Sequence, residues 1–408
     1  MNRDAALRRL ADERFDVLII GGGATGLGAA LDAAARGYRT ALIEARDFAS
    51  GTSSRSTKLI HGGVRYLRQG NIRLVREALH EREILRRNAP ALVAARAFVI
   101  PAWNRWEIPY YAAGLAAYDL LAGRSSFPRS RIVSAASARR AFPALAASSL
   151  RGGVIYYDGQ FDDARLALAI ARAASERGAA LANDVRAEAF LRGPGGRIAG
   201  VRAVEQRTGA ETMVRARVTI NAAGPFADAV RALDDPSSRR LLALSRGSHV
   251  LVPAERLGSP DAALLVPKTA DGRVLFAIPW QRQVMIGTTE VPVDAPVADP
   301  SASDEEIAYI LSTVNAVLAA PLNRSDVSST FAGLRPLLRR DAATTSNLSR
   351  EHLVEVSPSR LVTVTGGKWT TYRKMAADAV DTAARVAQLP PARSTTAEIA
   401  LNDPGEVP

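Results

Sequence analysis

DVLIIGGGATGLGAA, from Asp16 to Ala30, is the most informative segment of the sequence about the fold. A short apolar run leads straight into three glycines, which is typical of a buried parallel strand that meets a tight turn. The small residues that follow have helical spacing as far as Arg36, and Gly37 is the predicted stop. A second apolar run, TALIE at residues 40–44, completes one βαβ unit. The sequence therefore predicts an α/β, Rossmann-like domain.

The glycines of this unit match the pattern G-x-G-x-x-G of dinucleotide-binding folds. The first glycine allows the sharp turn, the second lets a pyrophosphate approach backbone N–H groups, and the third lets helix and strand pack closely. A carboxylate at the end of the second strand suits ribose hydroxyls and disfavours a 2′-phosphate. The residues predicted to contact the nucleotide are Gly21, Gly23, Ala24, Thr25, Gly26 and Glu44. This pattern does not separate FAD from NAD.

The pattern of strands and helices divides the chain into discontinuous parts. From Leu241 to Val293, short alternating strands are separated by polar turns, as in an antiparallel sheet. We predict that residues 13–90, 150–235 and 340–388 form the nucleotide-binding domain. Residues 91–149 and 236–339 are predicted to form an inserted antiparallel-sheet domain that binds substrate. Residues 389–408 are predicted to be an irregular tail.

Composition limits the classes of partner. The net charge of +12 favours anionic partners, such as phosphate esters or an acidic lipid surface. The basic residues are spread along the chain without a nucleic-acid-binding motif, so nucleic acid is not expected as a partner. The chain has no cysteine, and its four histidines lack metal-ligand spacing, so no metal site is predicted.

The amino terminus does not resemble a signal peptide, and no apolar run reaches the ~18 residues that span a bilayer. We therefore expect a cytoplasmic protein, at most peripheral on the inner face of the cell membrane. The most apolar stretch is IPYYAAGLAAYDLLAG, from Ile108 to Gly123. It is short and contains Asp119, which favours a packed helix over an interfacial membrane helix.

A second motif is TSSRSTKLIHGGVRY at residues 52–66. Hydroxyls and glycines crowd this part of an otherwise apolar chain, and they suit a phosphate and the edge of a flat ring. Arg65 offers a planar fork for a phosphate or a carboxylate.

These residues carry a resemblance to a known family. SSRSTKLIHGGVRYL at residues 53–67 resembles the signature of FAD-dependent glycerol-3-phosphate dehydrogenases, and GGKWTTYRKMA at residues 366–376 resembles that family's second signature. The resemblance covers roughly residues 13–388. It implies a glycine-oxidase-like flavoprotein fold with FAD held non-covalently. The helical domain that usually follows the second signature in this family is expected to be absent from this sequence.

The resemblance also implies a reaction and a set of site residues. Glycerol 3-phosphate would lose a hydride from C2 to flavin N5 and become dihydroxyacetone phosphate, and membrane quinone, sometimes oxygen, would take the electrons. The substrate pocket maps onto Arg65, Tyr66, His249, Arg335 and Lys368. The further contacts to FAD map onto Thr52, Ser53, Ser56, Lys58, Leu59, Gly62, Gly63, Val185, Ala223, Gly224, Gly333, Gly367, Lys368, Trp369 and Thr370.

The chemistry of the residues agrees with this pocket. A dianionic phosphate needs at least two fixed cations, and Arg65 and Arg335 are forks suited to it. Oxidation of the C2 hydroxyl needs a base whose pKa lies near 7, which His61 or His249 offers unaided. Lys368 would be a base only if burial and nearby cations lowered its pKa; otherwise it stabilises the developing alkoxide. We favour a histidine base with Lys368 as the stabilising cation.

Two other functions remain as alternatives. One is a glycine-oxidase-like amino-acid oxidase, against which the arginines of the signatures argue. The other is a truncated FAD-binding homologue that couples poorly to an electron acceptor. The sequence decides neither the acceptor nor whether the chain forms an oligomer.

Overall fold

The structure is a computed structural model that describes residues 1–64, 67, 70–267, 269, 274–339, 352–403 and 405. Its helices, numbered in chain order, are α1 (Arg3–Asp12), α2 (Ala24–Ala35), α3 (Ile72–Asn88), α4 (Glu107–Ala122), α5 (Ala135–Ala141), α6 (Asp163–Glu176), α7 (Ala227–Asp234), α8 (Asp304–Asn315) and α9 (Tyr372–Ala387).

The strands form two sheets, with eight strands in the first and ten in the second, as counted over the described ranges. The first sheet contains β1 (Arg14–Ile20), β2 (Thr40–Ile43), β7 (Ala180–Ala182), β8 (Val185–Arg192), β9 (Ile198–Glu205), β10 (Glu211–Asn221), β17 (His352–Val356) and β18 (Leu361–Gly366). The second contains β3 (Leu59–Ile60), β4 (Val93–Ala102), β5 (Arg131–Val133), β6 (Gly152–Phe161), β11 (Leu242–Pro253), β12 (Ala263–Val266), β13 (Leu275–Trp280), β14 (Gln283–Gly287), β15 (Val291–Val293) and β16 (Ser329–Leu338).

The first sheet has a parallel centre. Strand β1 pairs in parallel with β2 and β10, and β10 pairs in parallel with β18. The predicted βαβ unit of β1, α2 and β2 is therefore confirmed. Leu27 of α2, Ile170 of α6 and Val380 of α9 are buried in one apolar core with this sheet. The carboxyl ends of β1 and β10 lie side by side, so the glycine turn and residues 222–224 meet at one edge.

The second sheet is largely antiparallel. Strand β11 pairs antiparallel with both β14 and β16, and β4 pairs antiparallel with β6 along its whole length. Helices α5 and α8 bury apolar side chains against it, among them Ala138, Ile310 and Val314. The predicted fold class, a Rossmann-like domain with an antiparallel-sheet domain, is confirmed.

One predicted domain boundary differs from the structure. The boundary at residue 150 assigns Gly152–Phe161 to the nucleotide-binding domain, but this strand lies in the second sheet, between β4 and β3. The chain crosses to the first domain at Asp162, which caps α6. An apolar strand pattern indicates burial but does not indicate which sheet the strand joins.

The apolar helix α4 is less buried than the sequence led us to expect. Among its residues, only Leu115 and Tyr118 are buried, whereas Leu120 is 81% exposed. Trp106, just before the helix, is 64% exposed. The preferred prediction, a packed helix, therefore holds only for the face of α4 that carries Leu115 and Tyr118. None of the helices in the described residues is long and apolar enough to cross a membrane.

Gly26 is required where α2 approaches the glycine turn, because an added Cβ would collide with the carbonyl oxygen of Gly21. A backbone atom cannot move aside as a side chain can. We expect Gly26→Ala to destabilise the fold by about 1–3 kcal/mol, measured by thermal unfolding. The matched control is Gly114→Ala in α4, where an added Cβ meets nothing within 4 Å. This control should be stabilised by up to about 1 kcal/mol. Equal melting temperatures for the two variants would contradict this account.

Candidate active site

The nucleotide end of the site lies where β1 and β2 end. The Glu44 carboxylate accepts the N–H of Gly22 at 2.5 Å and the N–H of Arg46 at 2.9 Å. Burial raises the pKa of Glu44, against the effect of these hydrogen bonds. The N–H of Val185 donates to the carbonyl oxygen of Glu44 at 2.7 Å. The structure thus brings together Glu44 and Val185, two residues predicted to contact the nucleotide.

Helix α2 begins at this edge, directly after its N-cap residue Gly23, which has no side chain to cap the helix. The Ser53 hydroxyl accepts the N–H of Ala24 at 2.9 Å. The amides of Thr25 and Gly26 belong to the first helical turn, which has no partners inside the helix. Such a helix start attracts phosphate through its N–H groups and its partial positive charge. An ordinary side chain at position 23 would crowd Ser53, since an added Cβ lies 3.0 Å from its Oγ.

Residues 222–224 close the other side of the glycine turn. An added Cβ on Gly21 would lie 2.6 Å from the carbonyl oxygen of Ala222, so the two segments are in direct contact. The N–H of Ala223 donates to Asn221 Oδ1 at 3.2 Å, and Gly224 has a positive φ of 54°. Ala223 and Gly224 therefore lie beside the nucleotide turn, where the resemblance places them.

The loop at residues 52–58 joins the two sheets through a fully buried carboxylate, Asp163. The N–H and hydroxyl of Ser56 donate to Asp163 Oδ2 at 3.0 and 2.7 Å. The Lys58 ammonium donates to Asp163 Oδ1 and to the Ser54 carbonyl. Burial raises the pKa of Asp163, and Lys58 opposes that effect. Ser56 and Lys58, predicted to contact the cofactor, here hold the loop itself.

The same loop rests on strand β16 of the second sheet. The Thr52 hydroxyl donates to the Leu334 carbonyl at 2.6 Å. An added Cβ on Gly333 would lie 2.8 Å from the carbonyl oxygen of Arg55, so a side chain at position 333 would push the loop away. Gly333, which is predicted to contact the cofactor, therefore also lets the backbone of β16 approach the backbone of the loop closely.

The second signature packs against the first. Trp369 Nε1 donates to the Ser53 carbonyl at 2.9 Å, and the N–H of His61 donates to Thr370 Oγ1 at 3.2 Å. Lys368 precedes the single turn Trp369–Thr371 and is half-buried. An added Cβ on Gly367 would collide with the sulfur of Met375. Two segments that are 300 residues apart in the sequence therefore form one wall of the site.

His249 lies on β11, inside the second sheet. Its Nε2 is 3.1 Å from the Thr57 hydroxyl, and its ring stacks on Phe331 with a centroid distance of 4.6 Å. An added Cβ on Gly287 would collide with the ring, so a glycine in the neighbouring strand makes room for it. Burial, then the charges of Arg335 and Lys58, lowers the pKa of His249 to about 3. The imidazole is therefore neutral at pH 7.

Arg335 lies on β16, opposite Ser245 of β11, and its charge acts on His249 of the same sheet. Its guanidinium donates to the Thr289 carbonyl at 3.0 Å and to the Thr288 hydroxyl at 2.9 Å. An added Cβ on Gly247 would collide with the guanidinium, which therefore lies flat over that glycine. These contacts fix the direction of the fork, as bidentate recognition of a phosphate or a carboxylate requires.

The structure brings most of the predicted site residues to one region. Leu59 is buried in β3, and Gly62 and Gly63 follow directly after this strand. Arg65 and Tyr66 lie outside the described residues. Sequence reasoning missed Asp163, Thr57, Thr288 and Thr289 as parts of the site. Asp163 directly precedes a stretch with helical spacing, which was a weak signal for it, and Thr288 and Thr289 lie in IGTTE at residues 286–290, a segment that is in the order of the family that the sequence resembles.

Comparison with known proteins agrees with this geometry. The model of the DAO family, FAD dependent oxidoreductases, matches residues 16–373. The glycerol-3-phosphate dehydrogenase of Mycobacterium leprae is 47% identical over 401 residues, which cover 98% of this chain and 68% of that protein. The mitochondrial glycerol-3-phosphate dehydrogenase of Homo sapiens is 43% identical over 98% of this chain, which spans 57% of the human protein.

Two solved structures have a similar fold. The glycerol-3-phosphate dehydrogenase from Bacillus halodurans, complexed with FAD, has a TM-score of 0.80 and 34% identity, and the match covers 98% of this chain and 70% of that one. Glycine oxidase from Bacillus cereus has a TM-score of 0.65 at 20% identity, covering 93% of this chain and 96% of that one, and shares the fold.

The lowered pKa of His249 predicts how stability depends on pH. The unfolded chain takes up this proton near pH 6.5, whereas the folded chain resists it down to about pH 3. Stability should therefore be full above about pH 7 and fall by about 1.4 kcal/mol per pH unit below 6. His249→Gln should lack this component, which denaturant unfolding between pH 4 and 8 would show as a difference from the natural protein. His80→Gln, on the exposed face of α3, is the control. Parallel curves for the natural protein and His249→Gln would contradict a neutral buried ring.

Proposed function

The chain belongs to the FAD-dependent oxidoreductase family, within its glycerol-3-phosphate dehydrogenases, and from this premise we propose that it binds FAD and oxidises sn-glycerol 3-phosphate to dihydroxyacetone phosphate. The observation that carries the proposal is the position of Arg335 beside His249. The His249 ring lies against Thr57 of the loop at residues 52–58, and strand β16, which carries Arg335, accepts a hydrogen bond from Thr52 of the same loop. This loop also caps helix α2. In this proposal, Arg335 is the cation that binds the substrate phosphate near the cofactor.

The described residues fit FAD. The first turn of α2 offers amides to a pyrophosphate, and the Glu44 carboxylate, which accepts two amides, keeps lone pairs for ribose hydroxyls. An added Cβ on Gly21 or Gly23 would fill the space at this turn. When bound, FAD supplies the oxidant that accepts a hydride from carbon. The chain's own residues have to hold the substrate and take up its hydroxyl proton.

The substrate phosphate would bind to fixed cations. Arg335 presents a fork whose direction Thr288 and Thr289 fix. Arg65, the second predicted fork, lies outside the described residues and remains part of the proposal. Two guanidinium groups match a phosphate dianion, because each donates parallel N–H bonds to its oxygens.

The proton of the C2 hydroxyl would pass to a histidine. His249, with a pKa of about 3, is a weak base at neutral pH. We therefore assign proton uptake to His61, and we assign to His249 a hydrogen bond that orients the substrate. The backbone N–H of His61 donates to the hydroxyl of Thr370, which follows Lys368 by two residues. This hydrogen bond holds the His61 backbone near Lys368. The Lys368 ammonium would stabilise the developing alkoxide.

Arg335→Ala tests the phosphate assignment. Removal of the fork leaves the phosphate short of a cation, so KM for glycerol 3-phosphate should rise, at a cost of about 2–5 kcal/mol in binding. FAD content and melting temperature should change little. Steady-state kinetics with an artificial acceptor give KM and kcat. The matched control is Arg239→Ala, an exposed arginine that pairs with Glu355. A KM that changed no more in Arg335→Ala than in this control would remove Arg335 from the phosphate site.

We further propose that the electrons pass to membrane quinone and that the protein works on an acidic lipid surface at the cytoplasmic face. The support is helix α4 and its surroundings. Leu120 and Tyr110 of α4, with Trp106, form an exposed apolar face, and exposed arginines flank the helix at positions 105 and 124. An apolar helix face with basic neighbours is typical of interfacial membrane binding.

Vesicle flotation tests the lipid proposal. At low salt, the protein should float with vesicles that contain phosphatidylglycerol, and added salt should weaken the binding by screening the arginines. Leu120→Asp places a charge in the apolar face and should lower the bound fraction by about tenfold. Val297→Asp changes another exposed apolar residue and should float like the natural protein. Failure of the natural protein to bind acidic vesicles at low salt would refute the proposal.

A further inference from the structure

Three buried polar side chains form a network behind the loop His61–Gly63. They are Tyr118 of α4, Asp158 of β6 and Arg82 of α3, and each is almost inaccessible to solvent. The Tyr118 hydroxyl lies 3.0 and 2.9 Å from the two Asp158 oxygens. Arg82 Nη1 donates to Asp158 Oδ1 at 2.5 Å. The network therefore joins two helices and a strand of the second sheet.

The network contacts the loop at one backbone amide. The N–H of Gly62 donates to Tyr118 Oη at 2.8 Å. An added Cβ on Gly62 would lie 2.6 Å from the same oxygen and from Leu79 Cδ2. A glycine at this position therefore lets the backbone approach the hydroxyl closely enough to bond.

The direction of the hydroxyl is fixed. Burial, and then the Asp158 charge, raises the pKa of Tyr118 well above its usual value, so the phenol stays protonated. Its proton points to Asp158, and its oxygen is left to accept the Gly62 amide. The Arg82 guanidinium sits opposite the same carboxylate and over the Phe127 ring.

Fold stability alone does not account for this arrangement. The desolvation of a buried ion pair offsets much of its attraction, and apolar residues of the same volume are often as stable. A fully connected polar network does, however, define one geometry. The loop is held from its other side as well, because the His61 amide donates to Thr370 of the second signature. The Thr370 hydroxyl also lies 3.4 Å from the His61 carbonyl oxygen, so the backbone of His61 and Gly62 is held from both sides.

We propose that Tyr118 is a positioning residue of the site: its hydroxyl fixes the Gly62 backbone, and with it the His61 imidazole, against the bound flavin. Asp158 and Arg82 act through Tyr118 by holding the hydroxyl in place. The role rests on the proposed oxidation of glycerol 3-phosphate, but the fixing of the loop does not, so the two are tested separately.

The test compares the FAD-loaded Tyr118→Phe enzyme with Tyr156→Phe. Tyr156 is equally buried in β6, and its ring stacks on Phe98 at 5.1 Å. Two quantities are measured: amide hydrogen exchange of residues 59–63, and the rate of anaerobic flavin reduction by glycerol 3-phosphate. In Tyr118→Phe, loop exchange should accelerate about tenfold through loss of one buried hydrogen bond. Flavin reduction should slow by about tenfold or more as His61 moves. The concentration of glycerol 3-phosphate that gives half the maximal rate should stay within about threefold, because the phosphate cations are untouched.

Equal exchange and equal reduction rates in the two tyrosine variants would overturn the proposal. If the natural enzyme is not reduced by glycerol 3-phosphate, the proposed function fails, while the exchange measurement still decides the role of Tyr118. If Tyr118→Phe does not fold, Gly62→Ala serves instead, since its methyl group meets the same hydroxyl. Fast loop exchange and slow reduction in that variant would support the proposal, and behaviour like that of the natural enzyme would overturn it.

Discussion

The site depends on one buried carboxylate. Asp163 takes the Ser56 amide, the Ser56 hydroxyl and the Lys58 ammonium, and so it ties the loop at residues 52–58 to the start of α6. From that fixed position the loop reaches both domains. Ser53 caps α2 at the nucleotide end, and Thr57 contacts His249 at the proposed substrate end. Loss of the Asp163 carboxylate would break its buried ion pair with Lys58, and the loop would no longer be held in place between the two sheets.

The two sheets contribute different chemistry to the site. The parallel sheet supplies backbone amides and a carboxylate, which suit a nucleotide. The antiparallel sheet supplies an arginine fork and a neutral imidazole, which suit a small anionic alcohol. His249 is neutral because its burial, and then the charge of Arg335, lower its pKa. In the proposed reaction, this electrostatic opposition separates phosphate binding at Arg335 from proton uptake, which we assign to His61.

The sequence allowed the nucleotide-binding unit to be predicted almost to the residue, because Gly21, Gly26 and Glu44 act locally through turn geometry and spacing. The two signatures could also be recognised in the sequence, although the contact between them through Trp369 and Ser53 could not be predicted. What escaped prediction depends on tertiary contacts. Asp163 and Tyr118 carry no local pattern that separates them from ordinary helix residues. Strand β6 has the pattern of any buried strand, so its place in the second sheet followed only from its pairing with β4.

In the proposed enzyme, an arginine fork and histidines face a flavin that oxidises a phosphorylated alcohol. The most direct measurement is the visible spectrum of the purified protein, recorded without oxygen before and after addition of glycerol 3-phosphate. The account predicts a yellow protein whose flavin absorbance is bleached by glycerol 3-phosphate and is unchanged by glycine or by glycerol. A colourless protein that takes up no FAD, or a flavin that is bleached by the amino acid but not by the phosphate ester, would contradict it.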